Sequence, residues 1–199
     1  IWCWGGSAFG RLGNGSDGGT GRPTLVHTDT GPGGWSDWVQ VSGNMHGFCG
    51  IRSNGTAWCW GDTGGAGRTG NGAQWTNIPR PVAVLNSSGG AGWTDWTYIS
   101  TTRSHVCGLR SNGQIWCWGD NGYGQIGVGD TSETQYPRQV QTDTGPGGWS
   151  DWVSVKAGFY STCGVRANGA AYCWGMGQDL QLGNGSPADR YRPTLITSP

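Results

Sequence analysis

Seven cysteines are the most reactive side chains in this sequence, and six of them fall into pairs ten residues apart: Cys49 with Cys59, Cys107 with Cys117, and Cys163 with Cys173. Cys3 is left over. Zinc would need C-x-x-C or Cys/His sets at ligand spacing, and neither occurs. The pairs fit three disulfides, with three pairs of buried, reduced thiols as the alternative. Other groups able to do chemistry are sparse. There is no G-x-S-x-G nucleophile elbow, and no carboxylate pair stands outside the repeated positions. His27, His46 and His105 occupy non-equivalent places without metal spacing. Asp120, Asp130 and Glu133 could in principle gather around calcium, yet neither an EF-hand loop nor a glycine–aspartate calcium repeat surrounds them. Gly-x-Gly strings abound but lack the strand–helix context of a phosphate loop. The expectation is a protein that is not an enzyme, with no catalytic, cofactor-binding or metal residues.

The elements that position these residues form a repeat. CWG begins at Cys3, Cys59, Cys117 and Cys173, at spacings of 56, 58 and 56. C-G-[ILV]-R-x-N-G begins at Cys49, Cys107 and Cys163; W-[ST]-D-W begins at Trp35, Trp93 and Trp149; and a proline recurs at Pro23, Pro81, Pro137 and Pro193. The segments 28–39 and 142–153 are identical, TDTGPGGWSDWV. Each unit reads as four short strands, in the first complete one 38–42, 48–52, 56–60 and 81–85. The last opens on a proline that suits an outer edge. Four short strands per unit at this period indicate an all-β propeller. The units are 1–34 (third and fourth strands only), 35–92, 93–148 and 149–199, or three complete blades and an N-terminal strand pair. The expectation is a segment of a longer propeller, or a chain whose neighbours supply the missing strands. Cys3 sits at a third-strand position, so its partner would lie ten residues upstream, outside the chain.

The hairpin turn sets the cysteine register. In Arg52-Ser53-Asn54-Gly55-Thr56, a three-residue loop with Gly in the left-handed position pairs Arg52 with Thr56 and puts Cys49 opposite Cys59. A two-residue Asn-Gly turn would put Cys49 opposite Trp60. The cysteines favour the first reading, and the same offset predicts disulfides 107–117 and 163–173.

Composition agrees. Glycine supplies 41 of 199 residues and tryptophan 14, while the twelve acids include one Glu and the twelve bases one Lys. A chain so poor in Glu and Lys and so rich in Gly cannot be mostly helical. The glycines lack collagen's period, and an aromatic content of 12% argues against disorder. Net charge is zero and no basic run exists, which argues against nucleic-acid and anionic-membrane partners. No apolar stretch is long enough for a transmembrane helix.

Paired cysteines imply an oxidising compartment, so an extracellular, secreted or cell-surface location is expected. Sequons at Asn14, Asn54, Asn86 and Asn184 are N-glycosylation candidates, although Pro187 weakens the last. The W-x-x-W pattern makes Trp35, Trp93 and Trp149 candidates for C-mannosylation.

The order of these features resembles the regulator-of-chromosome-condensation repeat. Residues 93–148 carry the resemblance best, with His105 two before the second-strand Cys, the Trp118-Gly119 pair and G-Q-[IL]-G-x-G over Gly124 to Gly129. The resemblance implies a propeller, most often seven-bladed, and a packing role for His105. Founding members of that family exchange guanine nucleotides on a small nuclear GTPase while bound to chromatin. That activity is not carried over, because a disulfide-bearing, uncharged chain lacks the basic arm that chromatin binding needs.

Thirteen of the fourteen tryptophans occupy repeat positions, which points to packing between blades; Trp75 does not, and is the candidate ligand contact. Arg52, Arg110 and Arg166 are expected to bond between blades or stack on tryptophan. Asp37, Asp95 and Asp151 are expected to bond turn amides. The function expected is an extracellular, non-catalytic structural or interaction scaffold, with protein partners or neighbouring copies of the chain. The alternative is a carbohydrate-binding propeller that presents Trp and inter-blade loops to glycans.

Overall fold

The computed structural model describes residues 1–196, so the last three residues of the fourth unit lie outside the described residues. Three four-stranded antiparallel meanders follow an N-terminal strand pair. The pair is β1 (Trp2–Gly5) and β2 (Thr20–Leu25). The first blade holds β3 (Trp38–Gly43), β4 (Gly47–Arg52), β5 (Ala57–Asp62) and β6 (Asn77–Ala83). The second holds β7 (Trp96–Thr101), β8 (His105–Arg110), β9 (Ile115–Gly119) and β10 (Thr134–Gln139). The third holds β11 (Trp152–Ala157), β12 (Ser161–Arg166), β13 (Ala171–Gly175) and β14 (Arg190–Leu195).

The hairpin turn takes the three-residue form. Gly55 donates to the Arg52 carbonyl, Arg52 to the Thr56 carbonyl, and Gly55 has φ +75°. Cys49 therefore faces Cys59, and the same register joins Cys107 to Cys117 and Cys163 to Cys173 in disulfides.

The fourth strand differs from its expected bounds. In the first blade it starts at Asn77, four residues before Pro81, and the proline lies inside it. Ile78 pairs with Gly61 and Val82 with Cys59, so Pro79, Arg80 and Pro81 bulge opposite Trp60. A residue that cannot donate is tolerated there because the bulge breaks the ladder and the strand is an edge. The same bulge recurs in β2, β10 and β14.

Blades pack face to face, a disulfide face against a tryptophan face. Cys49, Ile51, Ala57, Cys59 and Val84 of the first blade form one core with Trp96, Ile99, Val106 and Trp118 of the second. The second and third blades repeat the arrangement through Cys107, Leu109, Ile115 and Cys117 against Trp152, Val155 and Trp174. Each interface is latched by a buried indole hydrogen bond. The indoles of Trp60, Trp118 and Trp174 donate to the carbonyls of Arg11, Arg68 and Gln125 at 3.1, 3.0 and 2.9 Å. Gly13, Gly70 and Gly127 make room for these rings, since a Cβ on any of them would come within 2.8 Å of the indole nitrogen. Trp4, at the equivalent position in β1, is 63% exposed, whereas Trp60 is 1% exposed.

Removing one disulfide as Cys107→Ala/Cys117→Ala should lower unfolding free energy by about 2–3 kcal/mol, from the loop-closure entropy of a short loop. A denaturant midpoint unchanged from the parent would show that the local hairpin already supplies this constraint.

Candidate functional site

The meander divides the loops between two rims. Turns β4–β5, β8–β9 and β12–β13, with the W-[ST]-D-W linkers, make one rim; loops β3–β4 and β5–β6 and their equivalents make the other.

The turn rim is uniform. Arg52, Arg110 and Arg166 lie 4.3, 4.3 and 4.2 Å from the ring centroids of Trp35, Trp93 and Trp149. The same guanidiniums bond Asp37, Asp95 and Asp151 at 2.9, 2.8 and 2.9 Å. The expected aspartate role is thus corrected. Each carboxylate takes an arginine, while the aspartate's backbone carbonyl accepts the turn amide of Ser53, Ser111 or Ala167. Arginine's planar fork can stack and pair at once, which explains the choice of Arg over Lys. The guanidinium of Arg52 holds the Asp37 carboxyl below its ordinary range.

The opposite rim is variable on a fixed backbone. Loops 44–46, 102–104 and 158–160 are equivalent, yet their central residues are Met45, Arg103 and Phe159, all exposed. Their carbonyls are clamped from the preceding repeat, by the Arg11 guanidinium, by Arg68 Nη1 at 2.6 Å and by Ser104 Oγ at 2.7 Å. Phe9, Trp75 and Leu180 add exposed apolar side chains on this rim, and all three have positive φ. Sequence reading found Trp75 by its place outside the repeat. Met45, Arg103 and Phe159 each stand four residues before a second-strand cysteine, so the repeat makes them equivalent, but only the structure shows their carbonyls clamped and their side chains exposed together.

Trp75 borders a cleft of about 290 Å³ with Arg68, Arg103, Asp120, Glu133 and Tyr160. Asp130, grouped with Asp120 and Glu133 in the sequence, is drawn elsewhere. It pairs with Arg138 at 2.7 Å, and that hydrogen bond lowers its pKa. A second repeat-breaking cluster escaped the sequence reading: Asp62 bonds Arg68 at 2.7 Å and lies 3.3 Å from His46.

The modification candidates differ in access. Asn54 is exposed at a turn tip, and Asn14 is half-buried. Asn86 Nδ2 donates to Ala91 at 2.9 Å, and Asn184 Nδ2 is buried without a partner. The rings of Trp35, Trp93 and Trp149 are half-buried between an arginine and an aromatic neighbour, Trp58, Trp116 or Tyr172. Cys3 is buried and unpaired, and burial raises its thiol pKa.

Two models described as the Regulator of chromosome condensation (RCC1) repeat match the chain. One covers residues 96–125 and 152–181, the other 112–165 and 168–199, so together they take in just over half of it. The chain belongs to the RCC1-repeat family. Human E3 ubiquitin-protein ligase HERC2 is 28% identical over 98% of this chain and 4% of its own length. The ultraviolet-B receptor UVR8 of Arabidopsis thaliana is 30% identical over 71% of this chain and 30% of its own. The chain thus spans less than a third of these curated relatives. Human WBSCR16 superposes with a TM-score of 0.80 at 19% identity, over 100% of this chain and 48% of that one. Prp20p of Saccharomyces cerevisiae gives 0.75 at 18%, over 99% and 46%. At such identity these structures establish the propeller fold.

Within this RCC1-repeat propeller His105 packs as the resemblance implied. It is fully buried between the second and third blades, with Nε2 2.7 Å from Thr162 Oγ1 and Nδ1 3.0 Å from Ser104 Oγ. Thr162 Oγ1 donates onward to the Gln125 carbonyl, the oxygen that also latches Trp174. Desolvation pushes the imidazole pKa down to about 3. The unfolded chain takes up this proton below about pH 6.5 and the native state does not. Stability should therefore fall with pH from about 6.5 toward 3, by up to about 1.4 kcal/mol per pH unit for this group. His105→Gln should flatten the melting-temperature profile between about pH 6 and 4.5, above the carboxylate range. The slope from His27 and His46, both also lowered by burial, would remain. An unaltered profile would contradict this assignment.

Proposed function

We propose that this RCC1-repeat chain is a non-catalytic, disulfide-stapled interaction scaffold of an oxidising, extracellular compartment, and that its variable rim docks a protein partner. The observation that carries the reading is the contrast between the rims. One repeats the same Trp–Arg–Asp cluster three times. The other clamps an equivalent backbone and changes the exposed side chain from Met45 to Arg103 to Phe159. Side chains that vary on a fixed frame suit recognition, and Met, Arg and Phe are enriched at protein interfaces. Structures of related propellers describe partners of the same kind. Prp20p is described through its binding to Gsp1p and histones, and in another structure Kap60 is bound to it. Zero net charge argues against nucleic acid as the partner of this rim. The three disulfides support an oxidising location.

A photo-crosslinker placed at Met45 or Phe159 should capture the partner, whereas one at Ser53 or Ser111 on the turn rim should not. Equal capture from both rims would overturn the reading.

We also propose that the chain's two outer faces receive further blades. The face around Trp2 and Trp4, both exposed, and the face around Cys163, Val165 and Ile196 are of the two kinds that meet in the three observed interfaces, and a cleft of about 750 Å³ lies against the second. Non-reducing peptide mapping of the native protein should then find Cys3 in a disulfide with a cysteine from outside residues 1–199. A free Cys3 thiol there would contradict the proposal.

A further inference from the structure

The 58-residue spacing between Cys59 and Cys117, against 56 elsewhere, has a single source. From Cys59 to Pro81 is 22 residues, whereas Cys3 to Pro23 and Cys117 to Pro137 are each 20. The two extra residues lie in the loop that carries Trp75. This loop is held at both ends of the excursion. Trp75 N donates to the Gly64 carbonyl at 2.8 Å, Thr76 N to Thr63 Oγ1 at 3.0 Å, and Thr63 Oγ1 to the Thr76 carbonyl at 2.9 Å. One face of the indole rests on Gly65, where any side chain would collide with it. The other face is open, and the residue is 83% exposed with φ +52°. A bulky residue held in the left-handed region costs stability, and such strain points to a local role.

The open face borders a cleft shared by three blades. Trp75 and Arg68 come from the first blade, Arg103, Asp120 and Glu133 from the second, and Tyr160 from the third. Glu133 is the only glutamate in the chain. Among the described residues neither Glu133 nor Arg103 has an ion-pair partner, whereas Arg68 is already paired with Asp62. Arg103 is steered across the Phe159 ring at 5.7 Å. The cleft thus offers a flat apolar surface, a free donor, a free acceptor and a phenol, with two acids balancing two bases.

We propose that this cleft binds the terminal hexopyranose of an uncharged glycan. A pyranose has an apolar C–H face that suits the indole, and hydroxyls around its edge that both donate and accept. Arg103 donates to one hydroxyl oxygen, Glu133 accepts from a neighbouring hydroxyl, and the ring lies on Trp75. Balanced charge selects against sulfated or sialylated ends. A volume of 290 Å³ lies at the small end of ligand sites, roughly 300–1,000 Å³, and suits one sugar ring with part of a second. This inference shares Arg103 with the protein-docking reading but turns on Trp75 and Glu133, which that reading does not use.

The test uses the disulfide-intact chain on an array of neutral, sialylated and sulfated glycans. Calorimetry then follows with the methyl glycoside of each neutral terminal hexose that is retained. Neutral hexose-terminated glycans should bind, and Trp75→Gly or Glu133→Gln should each weaken binding at least about tenfold. Phe9→Ala, elsewhere on the same rim, should leave binding unchanged. Trp75→Gly relieves the positive φ, so its melting temperature should equal or exceed the parent's, which separates loss of binding from loss of fold. Retention of anionic glycans alone, binding that survives Trp75→Gly, or no retained glycan would each overturn the proposal.

Discussion

Each blade interface turns on one buried indole and the carbonyl it reaches. Trp60, Trp118 and Trp174 are almost wholly removed from water, and each has a single N–H that must find an acceptor. The acceptor belongs to the preceding repeat, in the loop after its third strand. That bond ties two sheets that share no ladder, and it fixes their separation because the ring must also fit over a glycine. Burial of the ring supplies most of the stabilisation; the hydrogen bond supplies direction. Loss of the acceptor geometry would leave a polar group stranded in a dry interface, which costs more than the bond itself contributes.

With the latch in place, the rest of the unit has separable duties. The disulfide staples β4 to β5, and its equivalents do the same, so that the face presented to the next blade is rigid. The Trp–Arg–Asp cluster locks the turn rim, combining a stack with an ion pair where each alone would contribute little at the surface. The opposite rim is held by backbone carbonyls, and its side chains are released from structural duty. Met45, Arg103 and Phe159 differ because no packing demand makes them alike. The His105 network sits at one interface only, where Gln125 serves both the latch and the buried imidazole through Thr162. That interface is therefore chemically distinct from the one before it, although the backbones repeat.

The propeller fold, the three blades and strand pair of this chain, the hairpin register and the cysteine pairs were legible in the sequence because each is local and recurs three or four times. The Arg52-Ser53-Asn54-Gly55-Thr56 turn specifies its own register, and alternation then places Cys49 opposite Cys59. The fourth strand was misplaced because its proline reads as a boundary in sequence, whereas the bulge opposite Trp60 makes it an interior residue. The aspartates were assigned to turn amides because Asx bonds are the local choice, and the stacked arginine that captures them arrives from the far end of β4. Trp75 and Glu133 could be marked as departures from the pattern, but nothing in the sequence joins them.

The sequence by itself determined the period, the all-β class, the turn type and which residues fall out of step. These follow from backbone propensity and side-chain alternation over a few residues. Only the tertiary structure decided that the out-of-step residues meet. Trp75, Arg103, Glu133 and Tyr160 come from loops up to 85 residues apart, and their convergence depends on the blade-to-blade distance that the tryptophan latches set. Local rules carry no information on that distance, because it arises from packing two faces whose residues are far apart in the chain.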